Sequence, residues 1–266
     1  MRNSLMIFLA AVLWIASYEA IAEERLTPER LIQRYEFSDP NWSPSGEWLA
    51  LVVKEPVNEN GHPSNLWLYE AEGNKFRQLT WGDQTRSRPQ FSPDGNTLAF
   101  ITTDKDDKSQ LSLLPMSGGE SQPLSTQSGE ILDFKWSPDG TEIAFVALED
   151  KSKDDEIADK HDEFVASEAI EARHLKLVNV VDGIVTPLLE HDWRVTSFAW
   201  FPNGKSLAVY ATDDDSETLL TARLLTVSSN GDKIGEIARP DSPLDQLTIS
   251  PDGQYLAYTG STDGGP

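Results

Sequence analysis

One short unit occurs five times along the chain and constrains its fold more than any other feature. The copy from Phe134 to Val146 has an aromatic residue, then Ser-Pro-Asp-Gly, then an apolar run. In such a tetrapeptide Pro sets the first central turn position, Asp suits the second, and Gly accepts a positive φ. Because apolar runs flank each turn, every copy predicts a β-hairpin. The turns end at Gly46, Gly95, Gly140, Gly204 and Gly253.

The spacing of these turns predicts the architecture. Successive turn glycines are 49, 45, 64 and 49 residues apart. Repeats of about 40 to 50 residues with a strand-turn-strand signature are typical of β-propeller blades. We therefore predict an all-β fold, an incomplete β-propeller of about four and a half blades over residues 37–266. The fifth blade contributes only the hairpin Leu244 to Thr259, which suggests a truncated reading frame or a fragment of a longer gene product.

The first 22 residues have the organisation of a secretory signal peptide. Arg2 precedes an apolar run from Leu5 to Ala16, and Ala20-Ile21-Ala22 supplies the small residues of a cleavage site. We expect cleavage before Glu23 and a periplasmic or secreted protein. The apolar run is shorter than the roughly 20 residues of a spanning helix, and an uncleaved anchor is the alternative.

Residues 23–36 predict a short helical segment ahead of the propeller. Thr27 is suited to the N-cap and Pro28 to the first helical position. We expect the apolar side chains of this segment to pack on the propeller.

Composition excludes several classes of function. The net charge of −22 and the pI of about 4.4 argue against nucleic acid or an anionic membrane surface as a partner. The absence of Cys excludes disulfides, thiolate sites and a lipoprotein anchor. We predict no cofactor and no metal site, since the histidines lack ligand spacing. They are His62, His161, His174 and His191.

The sequence offers no catalytic residue. It contains no Gly-x-Ser-x-Gly motif. The recurrent serines precede Pro within turns, which is not the setting of a catalytic nucleophile. Each turn aspartate is also a single carboxylate, whereas calcium takes six to eight oxygen ligands. We therefore assign both sets of side chains to turn chemistry. They are Ser43, Ser92, Ser137 and Ser250, with Asp94, Asp139 and Asp252.

Two further features have a structural and a functional interpretation. Aromatic residues recur before the turns at Trp42, Phe91, Trp136 and Trp200, and we expect them to pack between blades rather than to form a binding platform.

The acidic stretch from Glu149 to Glu171 accounts for the long third period, the 64 residues between Gly140 and Gly204. We expect a solvated loop there, and a flap that shapes a binding surface is the alternative.

The opening Leu26-Thr27-Pro28-Glu29-Arg30-Leu31, the tripeptide Ser38-Asp39-Pro40 and the Trp-Ser-Pro-Asp-Gly repeats together resemble a known family. They are similar to the N-terminal propeller of secreted prolyl oligopeptidase-family serine peptidases, of the dipeptidyl or acylaminoacyl peptidase branch. The resemblance covers Leu26 to Gly260. TolB-like periplasmic propellers share the repeats, and the N-terminal opening favours the peptidases.

This resemblance implies a function that the present chain supports only in part. In the family an α/β-hydrolase domain carrying Ser, Asp and His follows the propeller, and the propeller limits access to small peptides. The chain ends before such a domain, so no catalytic residue is carried over and we expect it to be inactive alone. The expected partners are peptide substrates or the missing C-terminal hydrolase domain. The alternative is a stand-alone TolB-like propeller that mediates protein–protein interaction.

Overall fold

The structure is a computed structural model that describes residues 35–56, 63–106, 108–124, 129–148, 173–189, 193–213, 221–232, 234–241 and 243–260. The predicted signal peptide, most of the predicted helical segment and the acidic stretch lie outside these residues. At the end of the helical segment, Tyr35 has no regular structure and Glu36 already belongs to a strand.

The described chain is built from strands of two to seven residues. In chain order they are β1 (Glu36–Trp42), β2 (Trp48–Lys54), β3 (Ser64–Glu70), β4 (Lys75–Gln78), β5 (Thr85–Phe91), β6 (Thr97–Thr103), β7 (Ser109–Pro115), β8 (Gln122–Pro123), β9 (Ile131–Trp136), β10 (Glu142–Leu148), β11 (Arg173–Asn179), β12 (Val185–Pro187), β13 (Arg194–Trp200), β14 (Ser206–Thr212), β15 (Arg223–Ser228), β16 (Ile234–Ala238), β17 (Leu244–Ile249) and β18 (Leu256–Gly260).

These strands form four antiparallel four-stranded blades and a final two-stranded hairpin. Blade one is β1 to β4, blade two β5 to β8, blade three β9 to β12, blade four β13 to β16, and blade five β17 and β18. A single parallel bridge between Ser64 and Thr85 joins the first two blades into one sheet. The arrangement confirms the prediction of an incomplete propeller of about four and a half blades.

The second strand of each complete blade is an apolar run that does not alternate. In β10, for example, the residues from Ile143 to Ala147 are all buried. A strand has this pattern when both of its faces are covered, and in blades two to four each face packs on a neighbouring blade. Each hydrophobic cluster accordingly combines residues of two consecutive blades, so the core consists of the seams between blades.

The first strands of consecutive blades lie next to one another, as strands around the central channel of a propeller do. A β-bulge interrupts the pairing of each first strand with its second strand. In β1 and β5 the bulge places Asp39 and Arg88 at φ values of 49° and 52°, and each precedes a proline. Such conformations are costly for residues other than Gly.

The prediction that the aromatic residues before the turns pack between blades is correct for blades two to four. Phe91 and Trp200 are buried, and Trp136 is half-buried. The prediction is wrong for Trp42, which is 53% exposed. Its exposure has a simple cause, because no described blade lies on that side of blade one.

Candidate functional site

Charged side chains occupy one equivalent position on the first strands of blades one to three. Asp39, Arg88 and Asp133 each stand three residues before the aromatic residue of the turn, and we call them the first-strand ladder. The backbone N–H of Arg88 donates to Asp39 Oδ2 at 3.1 Å. Arg88 Nη1 lies 3.3 Å from Asp133 Oδ1, and both side chains are partly exposed to solvent. The ladder therefore links the first strands of three blades, the strands that line the central channel in propellers, and it leaves charged groups accessible to solvent.

A second set of polar side chains lies two residues further along the same strands. The Oδ1 atom of Asn41 accepts the backbone N–H of Phe91 at 3.0 Å. The side chain of Gln90 donates to the carbonyl of Phe134 at 2.7 Å. Lys135 continues the series toward blade four. Each of these side chains bonds the backbone of the next blade, so their role is to connect neighbouring first strands.

The side chain of Lys135 connects blade three to blades four and five. Its Nζ donates to the carbonyl of Phe198 at 2.6 Å and to the carbonyl of Leu247 at 3.3 Å. The ammonium also lies 5.4 Å from the centroid of the Phe198 ring, within the range of a cation–π contact. Burial lowers the pKa of Lys135, and the nearby carboxylate of Asp133 partly opposes that shift.

A buried guanidinium marks the junction of blades one and two. Arg86 occupies a position that is apolar in the other blades, where Phe37, Ile131, Val195 and Leu244 stand. It donates to Asn65 Oδ1 and to the carbonyl of Trp81, both at 2.9 Å. Burial lowers the pKa of Arg86. Its donors are used within this junction, so we assign it to structure rather than to ligand binding.

In three of the five turns the serine donates a hydrogen bond to the aspartate two residues later. Ser137 Oγ donates to Asp139 at 2.7 Å and accepts the backbone N–H of Glu142 at 3.0 Å. The turns at Ser92 and Ser250 contain the same pair of bonds. The hydrogen bond from the serine is the main reason that the pKa values of Asp94, Asp139 and Asp252 are lowered. These side chains therefore serve the turn chemistry that the sequence predicts.

The described residues contain no group of three or more His, Asp or Glu side chains arranged to hold a metal ion. Nor does the described part of the chain include a helix with the length and apolarity needed to cross a membrane.

Sequence reasoning missed the first-strand ladder and Lys135. The signal was present, because the residues lie at fixed distances from the turn that anchors the repeat. Aligning the five copies on their glycines places Asp39, Arg88 and Asp133 in one column. The bulges at or beside this column leave no comparable mark in the sequence, so the column alone does not reveal the contacts.

The fold and the repeats define a class of protein, the β-propellers with TolB-like blades. A model of the TolB beta propeller domain matches residues 32–170, which is just over half of the chain. The chain belongs to this family. Its fold is also similar to that of TolB from Acinetobacter baumannii, with a TM-score of 0.54 and 14% identity over 86% of this chain and 55% of that one.

The curated relatives are peptidases. The uncharacterized peptidase YuxL of Bacillus subtilis (strain 168) is 32% identical over an alignment 205 positions long, which covers 68% of this chain and 31% of that protein. Dipeptidyl-peptidase 5 of Porphyromonas endodontalis is 22% identical over 237 residues, which are 88% of this chain and 30% of that protein. The chain thus spans about a third of the length of these relatives, as the resemblance to a peptidase propeller implies.

Proposed function

We propose that this chain is the propeller of a prolyl oligopeptidase-family serine peptidase, where it gates or binds peptide substrates and supplies no catalytic residue. The observation that carries the proposal is the first-strand ladder, which presents accessible charges beside the axis of a propeller related to peptidases. In a gating role, the axis is the route along which a peptide reaches the hydrolase domain.

The chemistry of the ladder suits a peptide with charged ends or side chains. The carboxylate of Asp133 is an acceptor for an ammonium group. Within the described residues, the Arg88 guanidinium has a hydrogen bond only from Nη1, so its remaining N–H groups face no described acceptor. A guanidinium with free donors binds carboxylates in a planar, two-point manner. The ladder therefore favours peptides that carry an acidic group near the point of passage.

The test uses the full polypeptide encoded by the reading frame that contains this chain. We would compare hydrolysis of acidic and neutral dipeptidyl amides by the unaltered protein, by Arg88→Ala and by Arg77→Ala. Arg77 is the matched control, because it is exposed on the outer strand β4. We expect Arg88→Ala to raise KM for the acidic substrates only, while a fluorophosphonate probe labels all three proteins equally. Identical kinetics for the two variants would overturn the gating role.

A second candidate is a stand-alone TolB-like propeller that mediates protein–protein interaction. The match of residues 32–170 to the TolB beta propeller domain favours it. The DNA after the codon for Pro266 separates the two proposals. A peptidase requires further blades followed by a Gly-x-Ser-x-Gly motif, whereas an immediate stop codon supports the binding protein.

We also propose that the protein is exported to the periplasm or secreted, on the basis of the predicted signal peptide. Intact-mass analysis of the exported protein should find a chain that starts at Glu23. Recovery of the uncleaved chain alone, in the membrane fraction, would contradict this proposal.

A further inference from the structure

The carboxylate of Asp133 lies between the positive charges of two other side chains. Arg88 Nη1 is 3.3 Å from Asp133 Oδ1, and no other described carboxylate forms an ion pair with that guanidinium. Lys135 stands two residues further along β9, so the two side chains leave the strand on the same side. The charge of Asp133 also opposes the lowering of the Lys135 pKa. Asp133 therefore interacts with two cations.

The bond between Arg88 and Asp133 is weak for a charged pair. It consists of one contact at 3.3 Å, whereas charge-assisted bonds from nitrogen are typically about 2.7 to 2.9 Å long, and guanidinium–carboxylate pairs frequently make two parallel bonds. The two side chains are 50% and 37% exposed, so water screens their attraction. A carboxylate that offers both of its oxygens to the guanidinium is therefore a better partner than Asp133.

The backbone at Arg88 is fixed more firmly than its side chain. Arg88 has a φ of 52° directly before Pro89, and such a conformation persists only where the surrounding structure imposes it. Its backbone N–H donates to Asp39 Oδ2 at 3.1 Å, which ties the strained residue to blade one. The point from which the guanidinium extends is thus held constant, and an exchange of its partner requires only the rotation of side chains.

The charges at the ladder position of the five blades are negative in sum. Blades four and five hold the uncharged Ser197 and Gln246 there, so the series contains two carboxylates and one guanidinium. An acidic group that approaches Arg88 is attracted by one charge and repelled by two. Of the two carboxylates, only Asp133 contacts the guanidinium, while Asp39 bonds the backbone. Asp133 therefore opposes an acidic ligand by repulsion and by direct competition.

We propose that Asp133 determines specificity as an internal competitor, which occupies Arg88 until the carboxylate of an acidic peptide displaces it. The inference rests on the proposed function, in which acidic peptides pass the first-strand ladder. After displacement the Asp133 carboxylate still has the ammonium of Lys135 nearby. The competition lowers the affinity for acidic peptides, and a lower affinity suits a gate, because the peptide has to leave it again.

The test compares two isosteric dipeptidyl amides, one containing Glu and the other Gln, as substrates of the full polypeptide. Asp133→Asn removes the charge and keeps the shape of the side chain. We expect it to lower KM for the Glu substrate about two- to fivefold, the range that an exposed ion pair supports, with kcat and the Gln substrate unchanged. Glu120→Gln is the matched control, because it removes one negative charge from an exposed position between β7 and β8, outside the ladder.

A double-mutant comparison separates competition for Arg88 from long-range repulsion. In an Arg88→Ala background, the effect of Asp133→Asn on KM should fall to that of Glu120→Gln, because no guanidinium is left to compete for. An effect that persists in full without Arg88 would overturn the proposal. An unchanged KM in Asp133→Asn, or an equal change in Glu120→Gln, would overturn it as well.

Calorimetric binding of the free dipeptides Ala-Glu and Ala-Gln separates this proposal from the proposed function, because binding does not require catalysis. Tighter binding of Ala-Glu to Asp133→Asn than to the unaltered protein, in a polypeptide that hydrolyses neither amide, contradicts the proposed function alone. A peptidase whose KM for the Glu substrate rises in Arg88→Ala but does not respond to Asp133→Asn contradicts this proposal alone.

Discussion

Trp200 and Lys135 are joined across the seam between blades three and four, where the indole N–H of Trp200 donates to the backbone carbonyl of Lys135 at 3.1 Å. The side chain of Lys135 returns a bond to the same strand at the carbonyl of Phe198. The two blades are therefore connected by hydrogen bonds in both directions as well as by apolar packing.

Replacing Lys135 by Ala should loosen blade five more than any other part of the protein. The substitution removes the donor to the carbonyls of Phe198 and Leu247. Each hydrogen bond from a charged group contributes about 1.5 to 3 kcal/mol to the free energy of unfolding, and the cost of burying the ammonium offsets part of that contribution. We expect a net loss of about 2 kcal/mol in urea unfolding. Hydrogen exchange of β17 and β18 should accelerate selectively. Lys205→Ala in an exposed turn is the control, and equal effects of the two variants would contradict the role of Lys135.

The lowered pKa of Lys135 also predicts that the stability of the protein depends on pH in the alkaline range. Its pKa is lowered in the folded protein by burial, so the unfolded chain holds the proton more tightly. Stability should therefore rise with pH between the folded and unfolded pKa values of this group. This rise should be absent in Lys135→Met when unfolding is measured across that range. An unchanged slope in the variant would show that another group is responsible.

Gly183 and Gly231 form a matched pair for testing close approach between blades. Both have positive φ values, 70° and 76°, in the turn between the third and fourth strands. A Cβ atom on Gly183 would lie 2.7 Å from the carbonyl oxygen of Leu124, whereas one on Gly231 would lie 3.8 Å from that of Leu188. We expect Gly183→Ala to cost about 1 to 3 kcal/mol more than Gly231→Ala in chemical denaturation, because overpacking adds to the shared backbone strain. Equal losses would contradict the contact.

Ser137→Ala tests the chemistry of the repeated turn. The substitution leaves the backbone N–H of Glu142 without its acceptor and Asp139 without its strongest donor. We expect a loss of about 1 to 2 kcal/mol in the free energy of unfolding, since Ser137 is buried. Ser121→Ala on the exposed surface is the control and should have no measurable effect. Blade four already has Phe201 at the equivalent position, so the turn should still form.

The turn aspartates predict a loss of stability in acid. Hydrogen bonds from serine lower the pKa values of Asp94 and Asp139 below those of the unfolded chain. Their contribution is therefore present above the unfolded pKa, which is about 3.9 for Asp, and is lost as the pH falls through the folded values. Unfolding midpoints measured from pH 6 to pH 2 should fall, and they should fall less in Ser137→Ala. A midpoint that stays constant to pH 2 would contradict this account.

The repeated hairpins were predictable because their turn chemistry is local. A Pro, an Asp and a Gly in order determine the turn before any tertiary contact forms, and the apolar runs beside them determine the strands. The short fourth strands were harder to define: β8 has two residues, Gln122 and Pro123, because its length depends on pairing with β7 rather than on its own sequence.

The candidate site was not predictable in the same way. Asp39, Arg88 and Asp133 meet through bulged strands of blades whose equivalent residues are 49 and 45 positions apart in sequence, and periodicity indicates neither the bulges nor the direction of a side chain across a seam. Trp42 shows the same limit. Its sequence context matches that of Trp136 and Trp200, and it is exposed because no described blade packs on that side of blade one.

The proposal that this chain is a non-catalytic propeller serving a serine hydrolase is tested most directly by mapping the site of fluorophosphonate labelling in the full polypeptide. We predict stoichiometric labelling of one serine that lies beyond Pro266 and within a Gly-x-Ser-x-Gly motif, with residues 23–266 unlabelled. Labelling of a serine within residues 23–266, or no labelling of the full polypeptide at all, would contradict the claim.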